Sequence, residues 1–379
     1  MKKFYSLTFN IAFIICFIAL FLENTIKLDG LDQKIFSLKL CASVFLVAAL
    51  AMRFVCASTI KLNKAMVIEI LPLVIYLVYV IVACKDYKLL IFSLFICSAK
   101  YFYTDKIPKI SIIATLIMIA FVFYLHRVGV LQDKTFDRGI IVSSLQLNFG
   151  FTHYSKLPLA IMWMTFFWCI IRKSTIKIRE SIIILAIAIL FYYLCGSRNA
   201  LICTMLLTIM VIAYRLGALK RETICRIAKF SEPVCCIASF MLLAVFVFIP
   251  QVGTQINLAF NNRIIMAFNN FSRYGVSLIN TLQYDAYMLL ERSAQVDNSY
   301  YYIVIRYGIL SLLILYLVFR GLVKAGNKYN SYYLMVVSLC ALAIMIDGIL
   351  FSYGPFAMLI YGYGRVRSSD EMRKKENVR

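Results

Sequence analysis

Residues 251–310 read QVGTQINLAFNNRIIMAFNNFSRYGVSLINTLQYDAYMLLERSAQVDNSYYYIVIRYGIL. As far as residue 298 the stretch is polar, with five asparagines between Asn257 and Asn270 and three arginines, and it then enters an apolar segment. A loop of this length between apolar segments is usually functional or disordered, and its many aromatic residues argue against disorder. The sequence therefore predicts an ordered, functional loop over residues 251–298.

The composition of the whole chain is that of a membrane protein. Of 379 residues, 63% are hydrophobic and only 15% are charged, and the mean hydropathy is +0.84. Apolar runs long enough to cross a bilayer core of about 30 Å recur along nearly the whole length. The net charge of +22 arises mainly from short turns and the C-terminal tail, where basic residues set membrane topology. This distribution argues against nucleic-acid binding.

We expect an all-α polytopic membrane protein with about twelve transmembrane helices, in a single membrane domain over residues 1–379. Besides the helices, this domain contains two long loops, 126–155 and 251–298, and a basic C-terminal tail, 365–379. No small-residue cleavage site follows the first span before Glu23, so this span is expected to stay uncleaved. The last two spans, around IDGILFSYGP, are also compatible with a re-entrant turn. The predicted spans are about 4–22, 38–56, 67–84, 87–103, 110–125, 156–171, 181–195, 199–216, 233–250, 299–319, 333–347 and 349–364.

Lysine and arginine predict the orientation of these spans. Basic residues are concentrated in alternate short turns and in the tail, and such segments remain cytoplasmic. Both termini are then cytoplasmic, and both long loops lie on the outer face. Neither loop contains a cysteine, so a disulfide framework is not expected, and no Cys/His spacing indicates zinc. No metal and no cofactor is predicted.

Arg198 lies where two predicted spans meet, in the sequence YYLCGSRNAL. Gly196 is expected to end one helix and Ser197 to cap the next. The free N–H groups of a helix start, its dipole and a guanidinium would then form an anion site at the outer interface. The alternative is an arginine whose long side chain reaches lipid phosphate.

A second arginine lies inside a predicted span. Asn298, Tyr302 and Arg306 are spaced i, i+4, i+8 and share one helix face, with Arg306 roughly 12 Å below Asn298. An ionised side chain at this depth is expected to face the bundle interior, a cavity or a partner. A ligand role and an ion pair of Arg306 with Asp347 are equally compatible with the sequence.

The two histidines, His126 and His153, both lie in the first outer loop. His153 directly precedes a span and is the better candidate for a base near neutral pH. Interfacial packing is the alternative role for this side chain.

The outer face thus combines arginines, aromatic residues and carboxylates. Arginine suits diphosphate groups, aromatic rings and asparagine suit sugars, and a carboxylate can accept a hydroxyl proton. Together these residue types predict glycosyl transfer from a lipid-linked sugar diphosphate, with arginine stabilising the leaving group. The residues concerned are Arg198, Arg263, Arg273, Arg306, Asp285, Glu291 and Asp297.

Three motifs resemble the bacterial Wzy-type polysaccharide polymerases, relatives of the O-antigen ligases. They are GSRNAL at the start of a span, FNNRI in the long loop, and VDNSYYYIVIRYGIL leading into the next span. The resemblance implies a membrane glycosyltransferase that polymerises oligosaccharide repeat units carried on undecaprenyl diphosphate. The reaction is expected at the outer face of the bacterial cytoplasmic membrane, with a chain-length regulator as a possible partner. The product would be a capsule, O-antigen or exopolysaccharide.

Carried onto this chain, the resemblance implies that Arg198 and Arg263 hold the diphosphate and that Asp297 is catalytic. The ligases have His-Asn where Asp297-Asn298 stands, which favours a polymerase and leaves the identity of the base open. Two further departures are His153-Tyr154-Ser155 in place of His-Pro-Asn, and Asn262 in place of a glycine. The expected substrate-binding residues are Arg306, Asn298, Tyr302, Arg273 and His153. The alternatives are a ligase-like transferase and a flippase or transporter for lipid-linked oligosaccharide.

Overall fold

A computed structural model describes residues 2–28, 30–56, 87–99, 101–132, 147–260, 262–280, 296–327 and 330–376. These residues form fourteen α-helices and no strand, which confirms the all-α class. The helices are α1 Lys2–Thr25, α2 Leu31–Cys56, α3 Tyr87–Ala99, α4 Ile107–Arg127, α5 Lys156–Arg172, α6 Ile178–Cys195, α7 Arg198–Arg215, α8 Arg221–Phe248, α9 Pro250–Ala259, α10 Arg263–Tyr274, α11 Ser299–Tyr307, α12 Leu310–Asn327, α13 Ser331–Ile346 and α14 Tyr353–Glu376.

Within the described parts of the chain, six helices are long and apolar enough to cross a membrane, namely α1, α2, α4, α6, α7 and α8. The shorter helices α3 and α13 are also apolar. This architecture fits an integral membrane protein. The predicted span 67–84 lies outside the described residues, and the count of about twelve spans stays a prediction.

Several predicted boundaries differ from the structure. Helix α8 begins at Arg221 rather than at residue 233, and the basic tail continues α14 as far as Glu376. The single span predicted over 299–319 is two helices, α11 and α12, because Gly308 adopts φ +86 between them. The loop predicted over 251–298 contains α9 and α10, and residues 281–295 lie outside the described part.

The centre of the bundle is α13, on which nearly every side chain is buried. A helix that is apolar on all faces is stable only when other helices surround it, and α5, α7, α8, α11 and α12 pack around it. Helix α1 joins the core through phenylalanines spaced four residues apart, which lie on one face and are fully buried: Phe9, Phe13, Phe17 and Phe21. The buried helix α13 positions Asp347, the residue that follows it.

One carboxyl group lies inside this apolar packing. Glu232, on α8, is 3% exposed, and its Oε2 atom has no hydrogen-bond partner in the described structure. A buried polar group without a partner costs about 1–3 kcal/mol. We therefore expect Glu232→Leu to raise the thermal unfolding temperature of the purified protein. Glu180→Leu is the control, because Glu180 accepts two hydrogen bonds from Arg172; an equal rise in both variants would contradict the prediction.

Candidate functional site

Four helix ends meet at one end of the bundle, which we call the site end. Arg198 is the first residue of α7 and Arg263 the first of α10. Asp297 lies just before α11, and Asp347 directly follows α13. Helix termini thus bring together charged side chains from distant parts of the sequence.

The centre of the site is Arg263, held between two carboxylates. Its Nε lies 2.9 Å from Asp297 Oδ2, and its Nη1 lies 2.9 Å from Asp347 Oδ1. Nη1 also donates a hydrogen bond to the carbonyl oxygen of Ile346. The second oxygen of Asp347 accepts a hydrogen bond of 2.5 Å from the side-chain amide of Asn199. We call Asn199, Arg263, Asp297 and Asp347 the arginine–aspartate cluster.

The asparagines before Arg263 shape the start of α10. Asn262 adopts φ +62, the left-handed region that glycine and asparagine tolerate best. The side chain of Asn257 donates to Asn262 Oδ1 at 3.0 Å and accepts from the backbone N–H of Ile265 at 3.0 Å. Asn262 therefore supplies the backbone conformation that glycine would supply at this position.

Arg198 and Arg263 line the same cavity, of about 220 Å³. Arg198 is exposed, and its Nη1 donates to the carbonyl oxygen of Ala259 at 3.3 Å. Gly196 ends α6 in the left-handed conformation, as predicted. Ser197 occupies the N-cap position of α7, as predicted, although its side chain makes no capping hydrogen bond. The cavity is lined by Tyr154, Ser155, Ser197, Arg198, Asn199, Ile202, Ala259, Phe260, Arg263, Met345, Ile346 and Asp347.

Arg306 lies away from this cavity. It is 5% exposed, donates to the hydroxyl of Tyr302, and has its guanidinium 5.6 and 5.5 Å from the ring centroids of Tyr302 and Tyr307. Asp347 forms its ion pair with Arg263 rather than with Arg306. Arg306 is therefore an interior cation against two aromatic faces.

Asn298 has a structural role at the start of α11. Its side-chain oxygen accepts hydrogen bonds from the backbone N–H groups of Tyr300 and Tyr301, and its Nδ2 donates to Ser239 Oγ at 2.9 Å. This is N-capping, which fixes the helix start. It also joins α11 to α8, and so holds Asp297 beside Arg263.

His153 and Arg273 are not among the residues that line the cavity. Nδ1 of His153 lies 2.9 Å from Ser155 Oγ, and its ring packs against Tyr154, with centroids 3.9 Å apart. Arg273 lies near the far end of α10, ten residues and about 15 Å from Arg263, with its guanidinium 5.7 Å from the Tyr274 ring centroid. Asp285 and Glu291 lie outside the described residues.

Three side chains at the site were missed in the sequence analysis as site residues. Asn199 and Asp347 belong to the arginine–aspartate cluster, and the ammonium group of Lys156 lies within electrostatic reach of Asp347 and Asp297. Each had a signal in the sequence: Asn199 follows Arg198, Asp347 is the one acidic residue between 331 and 364, and Lys156 begins a span. Only the tertiary structure shows that they converge.

The electrostatics keep Arg263 charged. Burial alone would disfavour the charged guanidinium, but the carboxylates of Asp347 and Asp297 raise the pKa of Arg263 above its ordinary value. The cavity lining carries the two positive charges of Arg198 and Arg263 against the one negative charge of Asp347. A net positive, partly enclosed cavity at helix N-termini favours an anionic ligand.

Among the described residues, no group of three or more His, Cys, Asp or Glu side chains stands close enough to bind a metal ion. Comparison with protein-family models, with curated proteins and with solved structures found no match to this chain.

Proposed function

We propose that the chain is a membrane glycosyltransferase that polymerises oligosaccharide repeat units carried on undecaprenyl diphosphate into a surface polysaccharide. The observation that carries this proposal is the single cavity lined by Arg198, Arg263 and Asp347 at one end of an apolar helical bundle. Two guanidinium groups suit the paired phosphates of a diphosphate, and a membrane-embedded bundle suits a lipid carrier.

The proposed reaction transfers a sugar from the diphosphate to a hydroxyl group. The acceptor oxygen forms a bond to the anomeric carbon as the bond from that carbon to the diphosphate oxygen breaks, and the diphosphate leaves with the electron pair. Arg198 and Arg263 stabilise the charge that develops on it. Asp297 receives the acceptor proton, because its side chain is 41% exposed against 13% for Asp347 and is therefore the more accessible carboxylate.

An apolar cavity supports a lipid-linked substrate. It measures about 120 Å³, lies among α3, α11, α12 and α14, and is lined almost entirely by aliphatic and aromatic side chains. Tyr307, which packs against Arg306, lines its wall. A hydrocarbon chain in this cavity would lie beside a buried cation.

A transporter of lipid-linked oligosaccharide is the second candidate function. Transporters carry ionisable groups at membrane depth. Glu232 is such a group: it is buried on α8, seven residues or about 10 Å along the helix from Ser239. Ser239 in turn lies at the level of Asn298, to which it is hydrogen-bonded. The two functions predict different products when the protein is impaired.

The test is Arg198→Ala in a strain that lacks the native gene. We expect chain growth to fall by about 100-fold or more, because one charged donor to a leaving group is lost. The protein should remain in the membrane, since Arg198 is exposed. The control is Arg215→Ala, at the opposite end of the same helix, where Arg215 also donates to a backbone oxygen, that of Ser174.

Gel electrophoresis of the surface glycan distinguishes the outcomes. Single repeat units with Arg198→Ala, and long chains with Arg215→Ala, support the polymerase. Full-length polymer with Arg198→Ala contradicts the assigned role. Long chains retained on the lipid carrier indicate a ligase-like transferase, and repeat units retained on the inner side of the membrane indicate a transporter.

A further inference from the structure

A basic cavity lies at the end of the bundle opposite the site end. It measures about 390 Å³ and is formed by the first turns of α8 together with Val323 of α12. Three cations and one carboxylate line it, with Cys225 and Val323 completing the wall: Arg221, Arg226, Lys229 and Glu222. Arg226 and Lys229 are exposed, and the ammonium of Lys229 lies 5.5 Å from the ring centroid of Phe230.

An exposed apolar stripe on α8 runs along a neighbouring face of the helix, from the level of this cavity toward the site end. Its residues are spaced three or four apart and therefore share one helix face: Ile227, Phe230, Val234, Ile237 and Met241. From Phe230 to Met241 the stripe is about 16 Å long, close to the thickness of one leaflet, which is half of a core of about 30 Å.

Helix α12 has the same residue types along one face, in the opposite order along the chain. Leu313 and Leu317 are exposed apolar residues, and Arg320 and Lys324 follow on the same face at i+7 and i+11 from Leu313. Lys324 is next in sequence to Val323, the residue of α12 that lines the cavity. Each helix thus presents cations near the cavity and apolar side chains toward the middle of the membrane.

We infer that this surface binds an anionic phospholipid of the leaflet opposite the site end. The phosphate group lies in the cavity among Arg221, Arg226 and Lys229, and the acyl chains lie along the stripes of α8 and α12. The charge of the cavity selects an anionic headgroup over a zwitterionic one, because each nearby basic residue contributes about 1 kcal/mol of attraction to an anionic lipid surface. The site is separate from the arginine–aspartate cluster and does not depend on the proposed function.

The test measures the thermal unfolding temperature of the full chain in detergent micelles during titration with phosphatidylglycerol. The lipid should raise this temperature, and the double variant R226Q/K229Q should need about 30-fold more lipid for the same rise. The single variant Lys229→Gln should need an amount of lipid between that of the unmodified protein and that of the double variant. The matched control is K177Q/R179Q, which removes two exposed charges from the region joining α5 and α6 at the same end of the bundle.

Three results would overturn the inference. One is an equal response of R226Q/K229Q and the unmodified protein to phosphatidylglycerol. Another is an equal rise with phosphatidylcholine, which would show that the headgroup charge is not recognised. The third is an equal rise with inorganic phosphate, which would show that the cavity binds a free anion rather than a lipid.

Discussion

Replacing Arg263 with alanine is expected to abolish chain growth and to destabilise the protein by about 3 kcal/mol. The substitution removes the cation between Asp297 and Asp347 and leaves two carboxylates side by side. Asp347 is largely buried, and a buried charge that loses its partner is strongly unfavourable. Thermal unfolding of the purified protein measures the stability, and electrophoresis of the surface glycan measures chain growth.

A compensated variant separates the two effects. Arg263→Met with Asp297→Asn and Asp347→Asn removes the charge imbalance, so most of the lost stability should return while chain growth stays absent. Recovery of chain growth in this variant would contradict both the proposed role of Arg263 on the diphosphate and that of Asp297 as the proton acceptor. Failure to recover stability would show that the ion pairs contribute less than the shape of the side chains.

Gly308→Ala is expected to destabilise the protein by about 3 kcal/mol. Gly308 has φ +86, which disfavours any side chain, and an added Cβ would lie 2.5 Å from the carbonyl oxygen of Leu278 and 2.7 Å from Ile279 Cα. These are backbone atoms, held by the hydrogen bonds Ile309 N–H to Ser277 O and Leu310 N–H to Leu278 O. The backbone at Leu278 and Ile279 therefore cannot move aside to make room for the added Cβ.

Gly275→Ala is the matched control for this substitution. Gly275 has a similar φ, +71, but an added Cβ would meet nothing within 4 Å. Gly275→Ala should therefore lose only about 1 kcal/mol of unfolding free energy, from the unfavourable backbone conformation alone. Thermal unfolding measures the loss of stability in both variants. Equal losses would show that the contact between residues 278–280 and Gly308 adds nothing to the cost of the substitution.

The helical class of the fold could be predicted because it depends on local properties of the sequence. Long apolar runs predict α1, α4 and α7 directly, and the φ preference of Gly196 predicts the break between α6 and α7. The break at Gly308 was not predicted, because its cause is non-local. The segment 277–280 packs there against the chain, and hydropathy does not report that contact.

The arginines of the candidate site could be singled out because an ionised residue beside or inside an apolar span needs an explanation. Their partners could not be assigned in the same way. Asp347 was considered for Arg306, whereas the structure pairs it with Arg263, which is 84 residues away in sequence. Which residue pairs with Arg263 depends on how α10 packs against the end of α13. The spacing of residues within one helix gives no information on that packing.

Arg263 is already neutralised by its own protein, and this has a consequence for selectivity. An anion that binds the Arg263 guanidinium must therefore displace the carboxylate of Asp297 or Asp347 from it. A singly charged anion gains little from such an exchange, since it only replaces one carboxylate by another negative group. A ligand with two or more charges engages Arg198 as well as Arg263 across the same cavity. We therefore expect the cavity to favour multiply charged ligands over monovalent anions such as chloride and acetate.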